Sequence, residues 1–211
     1  MNNPTNSARC MDAMRFQTIG GRPPPREQFL RPELAPQLTG ETIRTRDGRT
    51  FLMRDIQRTD VDALRRGFAS LTPQEIRFRF LHPMTELPPN FAKQLCDVDP
   101  AAGIALVLID PADKSAPVIR AVARAYIDPA THVAEFGLVV HHDLAGLGLG
   151  TFMMQRLIDA CRERGVVELW GDVLSENGGM LELCDHLGFG RHSEFQDPGI
   201  MRVTLDLAQG T

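Results

Sequence analysis

An α+β fold, built on a mixed and mostly antiparallel sheet flanked by helices, is predicted by two features of this 211-residue sequence. Three apolar β-type runs, Ile104–Ile109, Val118–Ile127 and Val133–Val140, follow one another through short links holding Asp110-Pro111 and Asp128-Pro129. Links of that length turn a chain back on itself, so these strands should form an antiparallel meander. A glycine-punctuated stretch then enters a helical pattern, and another apolar run, Val166–Leu174, follows it. Strand, loop, helix and strand in that order make a parallel pair, so the sheet is mixed.

The elements can be taken in order. Residues 1–40 carry six of the fifteen prolines, including Pro23-Pro24-Pro25, without sustained periodicity; they read as a flexible Pro-rich arm preceding a domain over 41–211. Thr42–Thr45 and Thr50–Arg54 flank Asp47-Gly48, a hairpin signal. Thr59 is the expected N-cap of a helix whose apolar face is Val61, Leu64, Phe68 and Leu71. Thr72-Pro73-Gln74-Glu75 is a capping box with proline at the first helical position, and Pro88-Pro89 is expected to break the helix it starts. A short helix over Phe91–Leu95 precedes the meander. After the glycines a helix should run to about Arg164 with Met153, Leu157 and Cys161 on one side, and Gly165 should cap it. Asn177–Leu187 reads as a last helix, and the remainder as one more hairpin.

Composition narrows the function. A net charge of −4, with +2 on the first forty residues and −6 on the rest, argues against a nucleic-acid binder. The longest apolar run, Gly103 to Ile109, is too short to cross a bilayer, and no signal-peptide-like stretch opens the chain, so a cytoplasmic protein without membrane partners is expected. Cys10, Cys96, Cys161 and Cys184 show no metal-ligand spacing, and the six histidines form no ligand motif; no metal is expected.

The chemical signal is "HHDLAGLGLGTFMMQRL", His141 to Leu157, with glycine at 146, 148 and 150. A dinucleotide fingerprint fails because its third glycine would fall at Thr151, and a P-loop fails because no lysine follows. A strand end at Val140, bare backbone and a helix start near Leu149 still make an anion cradle of free N–H groups. A tight turn that binds nothing is the alternative. Glu135 is a second signal: within "HVAEFGLVV" it shares a face with Gly137 and Val139, where burial would raise its pKa toward that of a working base. A strand-end salt bridge is the plainer reading. His141 and His142 read as turn residues beside the loop.

"VHHDLAGLGLG" followed by "TFMMQRLIDACRERG" resembles the pyrophosphate loop of the GNAT acetyltransferases, and "NGGMLELCDHLGF", Asn177 to Phe189, is similar to their second signature. "LTPQEIRFRFLHPMTEL" and "AEFGLVV" further resemble the acetyltransferase domain of bacterial protein-lysine acetyltransferases that modify acyl-CoA synthetases. The resemblance covers about residues 41–207. It implies a GNAT fold, with a V-shaped opening between two parallel central strands, and an acetyl-CoA-dependent N-acetyltransferase. Its acceptor would be a protein lysine, with a small-molecule or N-terminal amine as the alternative acceptor and a non-catalytic CoA-binding module as the alternative function. It implies that Glu135 is the base and a Val139 N–H the oxyanion donor. The cofactor-binding set it implies is Leu138, Val139, Val140, Gly146, Leu147, Gly148, Leu149, Gly150, Thr151, Asn177 and Met180, with the pyrophosphate on Gly146–Thr151. Two departures stand out: Ala145 replaces the usual Gln or Arg of the loop, which predicts weaker CoA binding, and Cys184 replaces the tyrosine that acts as general acid in many relatives.

Overall fold

In the computed structural model, which describes residues 40–111, 116–193 and 199–208, β1 (Glu41–Arg44) and β2 (Thr50–Asp55) form the hairpin expected around Asp47-Gly48. Gly48 takes φ +87° in its loop, a conformation that side chains resist. The chain divides between Thr39 and Gly40, and the arm expected over residues 1–40 lies, Gly40 apart, outside the described residues.

α1 (Val61–Ala69) starts later than Thr59 predicts, because Thr59 sits inside a 3-10 turn over Arg58–Asp60. The Asp60 carboxylate fixes that turn: it accepts from the Gln57 N–H at 2.7 Å and from the buried Arg54 guanidinium at 2.7 and 2.8 Å. α2 (Pro73–Phe80) opens on the predicted capping box, with Thr72 Oγ1 accepting from the Glu75 N–H at 3.2 Å and Glu75 Oε2 from the Thr72 N–H at 2.6 Å. It ends well before Pro88-Pro89. Leu81 takes the left-handed φ of 60°, and His82, which precedes Pro83, is disfavoured in a helix. α3 (Pro89–Cys96) has Pro89 at its first position, where a missing N–H costs nothing.

The meander forms as β3 (Gly103–Asp110), β4 (Val118–Ile127) and β5 (Val133–Val140), all antiparallel. A register shift opposite Leu108 and Ile109 skips Arg120, so Ile119 and Ala121 face opposite sides of the sheet. α4 (Leu149–Glu163) then crosses to β6 (Glu168–Leu174). β6 begins two residues later than expected because the Val166 N–H still closes the end of α4 on the Cys161 carbonyl at 3.0 Å. α5 (Gly178–His186) and the hairpin of β7 (Gly190–Ser193) with β8 (Ile200–Asp206) complete the chain.

The strand order is β1-β2-β3-β4-β5-β6-β8-β7, and only β5 and β6 run parallel. α4 and α5 cover one face through Met153, Met154, Leu157, Cys161, Leu181 and Cys184. α1, α2 and α3 cover the other through Leu64, Phe68, Ile76 and Ala92. Each face is an apolar layer closed by helices, which leaves the β5–β6 seam as the place where the sheet's interior can be reached.

Candidate active site

β5 and β6 pair only over Val133↔Glu168, Ala134↔Leu169 and Glu135↔Trp170. Both strands continue, β5 held by β4 as far as Val140 and β6 by β8 as far as Leu174. Beyond Glu135 they part, and a V-shaped opening lies between two backbones. At the point of parting the Phe136 ring covers Gly171, where a Cβ would lie 2.6 Å from the ring.

The ladder phase decides which groups face the opening. Asp128 N–H donates to Val133 O and His141 N–H to Arg120 O, both at 2.9 Å. Backbone groups of odd-numbered β5 residues therefore face β4, and those of even-numbered residues face β6. The Val139 N–H points to β4, opposite Val122, which corrects the expectation that it is an oxyanion donor. The N–H groups of Leu138 and Val140 look into the opening instead. Strand periodicity assigned side chains to faces correctly but carries no information on N–H direction, which depends on the partner strand.

The glycine loop lies past the C-terminal end of β5. His142–Leu144 form a 3-10 turn, Gly146 and Gly148 both take φ +75°, and no side chain caps α4. The N–H groups of Gly148, Leu149, Gly150 and Thr151 are the orphans of a helix start, gathered at its positive end. Gly150 is there for another reason: its Cβ would lie 3.1 Å from the Leu183 side chain, so it lets α4 approach α5. Leu149 is buried, Leu147 and Thr151 half-buried, and Ala145 exposed. Past the end of the parallel neighbour β6, Asn177 caps α5, its Oδ1 accepting from the Met180 N–H at 3.2 Å. Both turns thus sit at one end of the opening, outside the carboxyl ends of the parallel strands.

Glu135 lies on the opposite face from α4 and α5. Burial, and then the Asp172 carboxylate, push its pKa above the ordinary 4.5, against the pull of Arg79 and Arg202. Arg202 holds Asp172 in two bonds of 2.9 and 2.8 Å and lies 4.3 Å from the Trp170 ring centroid. Tyr126 stands opposite Glu135 in register. α2 spans this face and is tied to both lips: Glu75 accepts from the His142 N–H at 2.6 Å, and Arg77 pairs with Glu176 beyond β6. Sequence reasoning missed Arg79, Asp172, Arg202 and Tyr126, which come together only through sheet topology. The one local signal was Gly137, a glycine in mid-strand that admits a neighbour.

Cys184 is fully buried in the layer between α5 and the sheet, and burial raises its thiol to about 12. Such a thiol packs and does not donate protons at neutral pH. His141 is buried beside the loop, with Nε2 3.0 Å from the Ser70 carbonyl and Nδ1 accepting from the Asp143 N–H at 3.3 Å; it stacks on His142 at 4.1 Å. His141, His142 and Asp143 bring potential ligand atoms within 4.8 Å of one another, yet both ring nitrogens of His141 are already engaged. Among the described residues no helix is long and apolar enough to cross a membrane.

Comparison with known proteins bears on this geometry. The profile of the acetyltransferase (GNAT) family matches residues 68–189, more than half of the chain. An acetyltransferase of Pseudomonas aeruginosa is 29% identical over 143 residues, which cover 68% of this chain and 76% of that protein. The [ribosomal protein bS18]-alanine N-acetyltransferase of Salmonella typhimurium is 36% identical over 69 residues, 33% of this chain and 45% of its own length. In fold, the GNAT domain of S. lividans PAT matches with a TM-score of 0.70 at 20% identity, over 82% of this chain and 99% of that one. A cAMP-binding acyltransferase from Mycobacterium smegmatis matches with a TM-score of 0.54 at 24% identity, over 80% of this chain and 47% of that one.

Proposed function

The chain belongs to the GNAT family of acetyltransferases, and from that premise we propose that its acceptor is the side-chain amine of a protein lysine, with Glu135 as the base. Acetyl-CoA is the acyl donor and supplies a thioester carbonyl and a thiolate leaving group. The loop from Gly146 to Thr151 fits its pyrophosphate, because bare N–H groups converge there at a helix start without a side-chain cap. The N–H groups of Leu138 and Val140 lie where a pantetheine arm and a developing oxyanion need donors, and one such donor is worth about 3 kcal/mol in a transition state. Asn177 and Met180, at the same end of the opening as the loop, flank the pantetheine arm.

A lysine ammonium has a pKa of about 10.4 and must lose a proton before it attacks. Glu135, held above the ordinary glutamate range by burial, takes that proton directly or through one water. The second proton on the attacking nitrogen is lost as the C–S bond breaks and goes to the departing sulfur. No role falls to Cys184. The observation that carries the assignment of the base is the position of Glu135, a half-buried carboxyl in the last pair before β5 and β6 part. The bS18-alanine N-acetyltransferase relative favours a second reading, in which the acceptor is an N-terminal amine.

The test incubates the purified protein and acetyl-CoA with purified acyl-CoA synthetases, a peptide with a free N-terminal alanine, and small amines. CoA release is followed, and acetylated sites are located by mass spectrometry. Acetyl-lysine on the synthetases is expected. Much faster turnover of the alanine peptide or of the small amines overturns the lysine reading.

A further inference from the structure

Gly137 lies on the Glu135 face of β5, two residues further on and so about 7 Å along the strand. A Cβ there would fall 2.6 Å from Cζ of Arg79 and 2.7 Å from each of its Nη atoms. The guanidinium of Arg79 therefore rests on bare strand backbone, and glycine is what admits it. Arg79 is half-buried. Among the described residues it has no hydrogen bond or ion pair; its neighbour is the Phe80 ring, 5.2 Å away. Arg124 stands opposite Gly137 in register and is 3% exposed. It donates to the Leu95 carbonyl and bonds the Tyr126 hydroxyl, and no carboxylate among the described residues pairs with it. Asp172 is already taken up by Arg202.

Arg79 thus feels the Glu135 carboxyl electrostatically without being bonded to an anion, and Arg124, which Arg79 feels in turn, has no carboxylate partner among the described residues. A charge held partly out of water needs a partner, and this pair has the wrong sign for an incoming ammonium. We infer that the acceptor brings the missing anion: a carboxylate next to the amine that is acetylated, read by Arg79 with Arg124 behind it. In the lysine reading, on which this rests, the target lysine has an acidic residue at its side. Arg79 presents a planar fork suited to a carboxylate.

The experiment uses the full chain with acetyl-CoA and two blocked pentapeptides, one with lysine between two aspartates and one with lysine between two asparagines. Free lysine and lysinamide form a second pair, in which the carboxylate belongs to a small amino acid. We expect the aspartate peptide to be favoured about tenfold in kcat/KM, as one charge-assisted contact provides, with the difference in KM. Arg79→Gln should bring that ratio close to one. Gly137→Ala, which keeps every charge but displaces the guanidinium, should do the same. A larger preference for free lysine over lysinamide keeps the carboxylate and moves its source to a small amino acid. Equal kcat/KM within both pairs overturns the inference while acetylation itself stands. An Arg79→Gln variant that keeps the ratio but moves the acid limb of the pH profile also overturns it, since Arg79 then serves only to tune Glu135. Should neither peptide be acetylated, calorimetry of both against the protein loaded with CoA decides. Tighter, Arg79-dependent binding of the aspartate peptide keeps the inference and retires lysine transfer; equal or absent binding overturns the inference.

Discussion

As the proposed base, Glu135 has opposite consequences for catalysis and for stability. Burial and the Asp172 carboxylate hold its pKa above 4.5, and only its ionised form can take a proton. The acid limb of kcat/KM should therefore lie above the range of an ordinary glutamate, and Glu135→Gln should lower kcat/KM at neutral pH by about a hundredfold to ten-thousandfold and abolish that limb. A variant with unchanged turnover would remove Glu135 from the chemistry. The stability effect has the other sign. An acid whose pKa is raised on folding is penalised in the fold once the pH exceeds its unfolded value, and the penalty disappears below that value. Glu135→Gln should thus melt higher than the wild type at about pH 7 and together with it at about pH 3. Thermal melts at the two pH values check this. Glu135 was legible as a candidate because a titratable group on an apolar strand is conspicuous by itself. Val139 misled because the direction of its N–H depends on the register with β4, which no local pattern records.

At the scale of an element, the glycine loop joins three glycines that act differently. Gly146 and Gly148 hold φ +75°, where an L side chain costs about 1–2 kcal/mol, whereas Gly150 meets the Leu183 side chain. Gly148→Ala should lower stability by about that amount and also weaken acetyl-CoA, because the N–H groups at the start of α4 lose their aim. Calorimetric titration of the variant measures the second effect, and undiminished affinity would show that the loop does not hold the pyrophosphate. Ala145 is exposed next to this cradle. Ala145→Arg adds a cation there, so it should tighten acetyl-CoA by about tenfold at low salt and by less as salt rises. The bounds of α4 were readable from its glycines, and β4 and β5 fell where expected because their turn formers are local. The end of α2 was not, since a left-handed Leu81 has no residue-type signature and the two prolines beyond it were the stronger visible signal.

Across the whole molecule, the site is assembled from residues far apart in the chain: Glu135 on β5, Asp172 on β6, Arg202 on β8 and Arg79 on α2. Periodicity gives each element its face but not its neighbours, so the family pattern conveyed the opening while the arginines around it stayed invisible. α2 is the part that closes this assembly, tied to the loop after β5 by Glu75 and to the turn after β6 by Arg77. Burial alone would push the Glu75 carboxyl up, but hydrogen bonds from Thr72 and His142 outweigh it and hold its pKa below 4.5. Because the folded-state value is the lower one, the tie contributes its stability above the unfolded value and loses it as the pH falls through the folded one. Glu75→Gln keeps the capping box in a residue type that suits it but removes the charge that holds the His142 N–H. Hydrogen exchange at about pH 7 should then quicken at His142–Gly148 and in α2, while the buried amides of β4 keep their protection. Acetyl-CoA affinity should fall with it, since the cradle depends on a loop now less well held. Unchanged exchange in the loop would mean that α2 merely rests on the opening, and that β5 and β6 keep it shaped through their outer neighbours β4 and β8 alone.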